Sequence, residues 1–226
     1  MSTEKRLAQM EALVRKRMAS TPDGYMGVAE FHDGAYECCY VSPYTKAAKN
    51  LDSKVLIILQ DWISADVLAG PIIPEAVSGG RIPTLPTNRN LDKLLRETIG
   101  LRIDETYATN LFPFIKPGGM SSSIPFRALR ASARSYALPQ IEILAPRLVV
   151  ALGLVVYNAL AVETNNPRKA TLAEAIAAPF DIGGSRVWCQ AHPGALGQNS
   201  RNRFNKNQTT LDWLEMGAWH KLQNAT

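Results

Sequence analysis

Three polar side chains of different chemistry stand where short apolar runs end. Gln60-Asp61 closes Val55-Leu56-Ile57-Ile58-Leu59, Asn110 lies in Thr106-Tyr107-Ala108-Thr109-Asn110-Leu111, and His192 follows Val187-Trp188-Cys189-Gln190-Ala191. A carboxylate can orient water and stabilise a developing cation. An imidazole can donate to an oxygen on which negative charge grows, and a carboxamide can read the donor and acceptor pattern of a ligand edge. Each position also has a plainer reading. An Asp after a strand caps the following helix, an Asn before Phe112-Pro113-Phe114 forms a turn, and a His before Pro can be a satisfied core residue. The nearby Asp66 reads as a solvated or capping carboxylate, held in reserve as a base.

The elements that must position these residues are legible in the hydrophobic pattern. The three runs, together with Leu148-Val149-Val150-Ala151-Leu152, are apolar on both faces, as strands buried between helix layers are. Helical spacing in 91–99, 128–144 and 154–162 separates them, and 210–222 closes the chain. This alternation predicts an α/β fold, a three-layer α/β/α sandwich with a central, mainly parallel four-stranded sheet. Ligands of such sheets sit beyond the carboxyl ends of the strands, which would gather Asp61, Asn110 and His192 at one edge. Leu7, Met10, Leu13, Val14 and Met18 predict an amphipathic helix over 3–19, stopped by Pro22-Asp23-Gly24. Residues 25–50 read as irregular, with room for one short strand. Residues 69–90 carry Pro71, Pro74, Gly79, Gly80, Pro83 and Pro86 and read as a functional loop. The whole of 1–226 is expected to be one unit, with 1–50 packed on it.

Several function classes fall away. Cys38, Cys39 and Cys189 lack CxxC spacing and read as free thiols. His32, His192 and His220 stand far apart without an HExxH pattern, so no metal is expected. Neither GxGxxG nor GxxxxGK[ST] follows a strand, and no cofactor is expected. No apolar run approaches the ~18 residues of a membrane span. The opening Met1-Ser2-Thr3-Glu4-Lys5-Arg6 does not read as a secretion signal, so the expected location is cytoplasmic. A formal charge of +5 suits a polyanionic partner without requiring one. A monomer is expected.

Four segments, in order, resemble the uracil-DNA glycosylase superfamily. Ile57-Ile58-Leu59-Gln60-Asp61 resembles its water-activating motif, and Thr109-Asn110-Leu111 its uracil-reading motif. Pro146-Arg147-Leu148-Val149-Val150-Ala151-Leu152-Gly153 is similar to a structural strand of many members. His192-Pro193-Gly194-Ala195-Leu196 resembles the His-Pro-Ser-Pro-Leu loop. The resemblance implies a base-excision repair hydrolase that flips uracil out of DNA, single- or double-stranded, and releases the free base. Asp61 would orient water and stabilise an oxocarbenium ion, and His192 would donate to uracil O2. Asn110 would pair with the N3–H and O4 edge that cytosine presents in reverse, at a discrimination of about 1–3 kcal/mol per unsatisfied group. Gln60, Trp62, Ile63 and Phe112 would complete the uracil pocket, and Leu196 would wedge into the base stack.

Downstream, Arg201, Arg203 and Lys206 interleave with amides, a pattern that suits phosphate contacts as well as a solvated loop. Ser122, after Gly118-Gly119, reads as a phosphate contact or a flexible turn. The chain departs from the family in two places. Trp62-Ile63 replaces the usual Pro-Tyr, and the 79–90 segment, where a base-stacking aromatic is expected, holds Ile82, Pro83 and Leu85. Stacking must then come from an aliphatic surface or from Trp62 or Phe112. Two other readings stay open: a noncatalytic or product-trapped binder of uracil-containing DNA, and an α/β hydrolase of nucleotides or sugars.

Overall fold

The computed structural model describes residues 2–224; Met1, where the reading of the N-terminus begins, and residues 225–226 lie outside the described residues. Among the described residues five strands form one sheet: β1 (Val55–Leu59), β2 (Tyr107–Asn110), β3 (Leu148–Leu152), β4 (Phe180–Ile182) and β5 (Ser185–Gln190). Their order is β2-β1-β3-β5-β4. Every pairing is parallel except that of β4 with β5. The fold is therefore the three-layer α/β/α sandwich with four parallel strands. It carries one addition, the short β4, which Gly183-Gly184 turns back onto β5 as an antiparallel edge.

The described residues include ten α-helices: α1 (Thr3–Ala19), α2 (Ala65–Leu68), α3 (Pro74–Gly79), α4 (Pro86–Leu94), α5 (Phe126–Ser132), α6 (Leu138–Leu144), α7 (Leu154–Glu163), α8 (Leu172–Ile176), α9 (Ala195–Arg201) and α10 (Gln208–Asn224). β1 shows why two layers are needed. All five of its residues are buried. Leu56 and Ile58 enter a core shared with α1, α5, α6 and α7, whereas Val55, Ile57 and Leu59 enter one shared with α4 and α10. Burying each of these branched side chains contributes about 1.5–3 kcal/mol.

Two helices run on through a π turn. Ala133–Ala137 joins α5 to α6, where Pro139 has no N–H to give to the preceding turn, and the Leu138 N–H reaches back to Ala133 O. Leu95–Ile99 extends α4 and packs on α10.

Residues 25–50 hold three short 3₁₀ turns and isolated bridges from Met26 to Ile115 and from Lys49 to Tyr107, with no strand among the described residues. The 69–90 segment differs from the expectation. It contains α3 and the start of α4, because Pro74 and Pro86 occupy first-turn positions where a missing N–H costs nothing. No helix among the described residues is long and apolar enough to cross a membrane.

Candidate active site

The carboxyl ends of β1 and β5 open onto a cleft of about 100 Å³. Its lining includes Asp61 and His192, together with Tyr44, Leu59, Trp62, Ile63, Arg81 and Met120. The ends of parallel strands leave the last peptides free to turn outward, and here the ladder itself fixes where they go. Leu111 N–H donates to Leu59 O and Phe112 N–H to Gln60 O, so β1 and β2 stay bonded up to the residue before Asp61.

Asp61 is held from both sides. Its Oδ1 accepts from Gln60 Nε2 at 2.9 Å, and its Oδ2 lies 2.9 Å from Lys116 Nζ. The Lys116 side chain is only 4% exposed and that of Asp61 11%. Lys116 Nζ also donates to Met120 O at 2.7 Å. The 116–120 loop is fixed further where Ala65 N–H donates to Lys116 O and Asp66 N–H to Gly118 O. One ammonium therefore anchors both the carboxylate and the loop that brings Met120 to the cleft. Each carboxylate oxygen keeps a further lone pair with which to hold water.

His192 is half-buried. Burial pushes its pKa below the ordinary histidine value, against an opposing pull from Asp61. Gly194 N–H donates to its Nδ1 at 3.1 Å, so the neutral ring carries its proton on Nε2. The ring therefore offers a single donor from a neutral imidazole. Its backbone is clamped as well: a Cβ at Gly197 would stand 2.3 Å from His192 O, so α9 can lie this close only with glycine there. Asn90 Nδ2 ties α4 to this loop through Pro193 O at 2.8 Å.

The walls are apolar. Trp62 is buried, with its Nε1 donating to Gly80 O at 2.7 Å and its ring edge-on to Tyr36. Gly80 has φ +70, and a Cβ there would meet Pro43 O at 1.8 Å, so the 43–47 turn that carries Tyr44 depends on it. Tyr44 donates from Oη to Asn88 Oδ1 at 2.8 Å, and burial raises its pKa to about 12. Arg81 forks onto Asp92 at 2.8 and 2.9 Å. The 79–90 segment contributes Ile82, Leu85, Thr87 and Asn88 to the lining, and the aromatic surface comes instead from Tyr44 and Trp62.

The remaining sequence candidates are placed differently. Gln60 contacts Asp61 and lies outside the lining. Asn110 is fully buried on the cleft-side face, opposite Leu59 in the ladder. Its Oδ1 accepts from Ser42 Oγ at 2.5 Å, while its Nδ2 has no partner among the described residues. It stands behind the lining rather than in it. Phe112 is not brought to the cleft: it is buried in the opposite core, 4.6 Å from Tyr25 and 5.6 Å from Phe114 between ring centroids.

Leu196 sits on α9 rather than in a loop and is 88% exposed. Arg201 forks onto Asp212 at 2.6 and 2.9 Å and is 19% exposed, so it braces α9 against α10 instead of facing solvent. Arg203 and Lys206 are exposed. Ser122 is half-exposed and packs its Oγ over Gly118.

Sequence reasoning did not single out Tyr44, Arg81, Thr87, Asn88, Met120 or Lys116. Only Lys116 left a signal, as a lone cation ending the apolar stretch Leu111-Phe112-Pro113-Phe114-Ile115. Among the described residues no three His, Cys, Asp or Glu side chains gather as a metal would require.

No protein-family model matches the sequence, and no curated protein matches it significantly.

Proposed function

We propose that this chain is a DNA glycosylase that hydrolyses the N-glycosidic bond of uracil in DNA. The observation that carries the reading is that Asp61 and a neutral His192 line one small cleft with apolar walls at the carboxyl ends of the strands. Dissociative cleavage leaves a positive sugar and a negative base, and it needs a carboxylate near the first and a donor near the second. Asp61 holds the attacking water on its free lone pairs. His192 Nε2–H donates to uracil O2 as the bond breaks, without having to give up a proton. Tyr44 and Trp62 supply the aromatic surface for a flipped base, which must leave the stack before a site of this size can reach it. Asn110, buried behind the lining with its carbonyl oxygen engaged by Ser42, is left without a direct part in reading the base edge.

One observation favours a second reading, a binder that traps its product. Lys116 lies against Asp61 and offsets the negative charge that would stabilise the sugar cation. Counting free uracil released from a uracil-containing strand by chromatography separates the two. Many uracils per chain support the glycosylase and a single equivalent supports the trapped binder. No release contradicts both.

A further inference from the structure

Leu196 and Phe204 are the most exposed large apolar side chains among the described residues, at 88% and 93%. They flank α9, one in its first turn and the other just past its end. The backbone on either side of Phe204 is tied to the start of α10. Arg201 grips Asp212, Asn202 Oδ1 accepts from Thr209 N–H at 2.8 Å, and Asn205 Nδ2 donates to Gln208 Oε1 at 3.2 Å. The Phe204 ring itself stands in water, and its ring contact among the described residues is with the Arg203 guanidinium, 5.4 Å from its centroid. A large apolar side chain held this far into solvent marks an interaction surface.

The charge of the stretch identifies the partner. From His192 to Leu211 there is no Asp or Glu, while Arg203 and Lys206 are exposed. The acid that follows, Asp212, is buried and already committed to Arg201. An aromatic ring beside two exposed cations, in a stretch without a carboxylate of its own, fits a strand whose bases stack and whose phosphates are anionic. An acidic protein surface would use the cations but leave the ring without a flat partner.

We infer that Phe204 is a stacking ledge for an unpaired nucleobase of single-stranded DNA, with Arg203 and Lys206 on the flanking phosphates. The ledge lies past α9 on the segment that His192 begins. A paired base keeps its faces covered by its neighbours, so the ledge favours single strands over duplex. This inference rests on the reading of the protein as an enzyme of DNA.

The test is fluorescence anisotropy of the full chain with a labelled, uracil-free oligodeoxynucleotide, alone and annealed to its complement. Phe204→Ala is expected to weaken single-strand binding about tenfold and duplex binding less than twofold, and Phe204→Trp to retain wild-type affinity. Arg203→Gln is expected to flatten the salt dependence of binding. Because the ring packs on no core residue, the variants are expected to keep the wild-type melting temperature. Equal single-strand affinity in wild type and Phe204→Ala overturns the ledge, and so does equal loss for both forms. Self-association that disappears in Phe204→Ala without a change in DNA binding also overturns it, by assigning the ring to a protein contact. The strands contain no uracil, so a failed ledge leaves the excision reading untouched. A confirmed ledge with no uracil release would sink the excision reading alone.

Discussion

Asp61 Oδ2 and Lys116 Nζ face each other at 2.9 Å, both largely out of water. Removing one partner of such a pair leaves an uncompensated charge, at a cost of about 3–5 kcal/mol. Lys116→Met is therefore expected to lower unfolding free energy by roughly that amount. Asp61→Asn with Lys116→Met should recover part of the loss, with a coupling of about 1–3 kcal/mol in urea titrations of the four proteins. Strict additivity would show that the pair is not formed.

Protonation of His192 supplies a pH test. Its pKa in the folded protein lies below the ordinary 6.5 because burial penalises the imidazolium, and His220 is lowered first by burial and then by Arg147 and Lys221. The unfolded chain thus binds protons more readily than the native one. Stability is fully present above pH ~6.5 and is lost as pH falls through the lower folded values. Urea midpoints should be flat from about pH 7 to 8 and should fall as the pH drops below ~6.5. Replacing His192 by Gln should shrink that fall, and an unchanged slope would contradict the burial effect assigned to it.

Gly197 offers a test of geometry without touching a polar group. A methyl group there would stand 2.3 Å from His192 O and 3.0 Å from its Cβ, so the loop must move. Gly197→Ala is expected to cost about 1–3 kcal/mol of stability and to slow excision by roughly 10² through misplacement of the imidazole. Circular dichroism beside single-turnover rates distinguishes this from unfolding. Wild-type rates in a folded Gly197→Ala protein would show that the position of His192 is unimportant.

The four parallel strands were legible because a strand such as Val55–Leu59, buried on both faces, has to be apolar at every position. β4 was not, since only Phe180 of its three residues is buried. α3 and the first turns of α4 were hidden for another reason: Pro74 and Pro86 read as breakers, although a proline is at home in a first helical turn. At the site, Asp61 and His192 were legible because each follows a strand. Lys116, Tyr44 and Arg81 reach the carboxylate and the cleft only through the folding of distant loops, and no local pattern marks Tyr44 or Arg81. Arg201 looked like its neighbour Arg203 until Asp212, from the next helix, was seen to claim it.

The most direct test of the central claim is single-turnover excision from a labelled oligonucleotide holding one uracil, with alkali to cut at abasic sites. Wild-type protein should produce abasic sites at uracil and none at cytosine. Asp61→Asn and His192→Ala should each slow the reaction by about 10²–10⁴ while uracil-DNA affinity changes less than twofold. Absence of abasic product from the wild-type chain, or full rates in both variants, would contradict the assignment of this cleft to N-glycosidic cleavage.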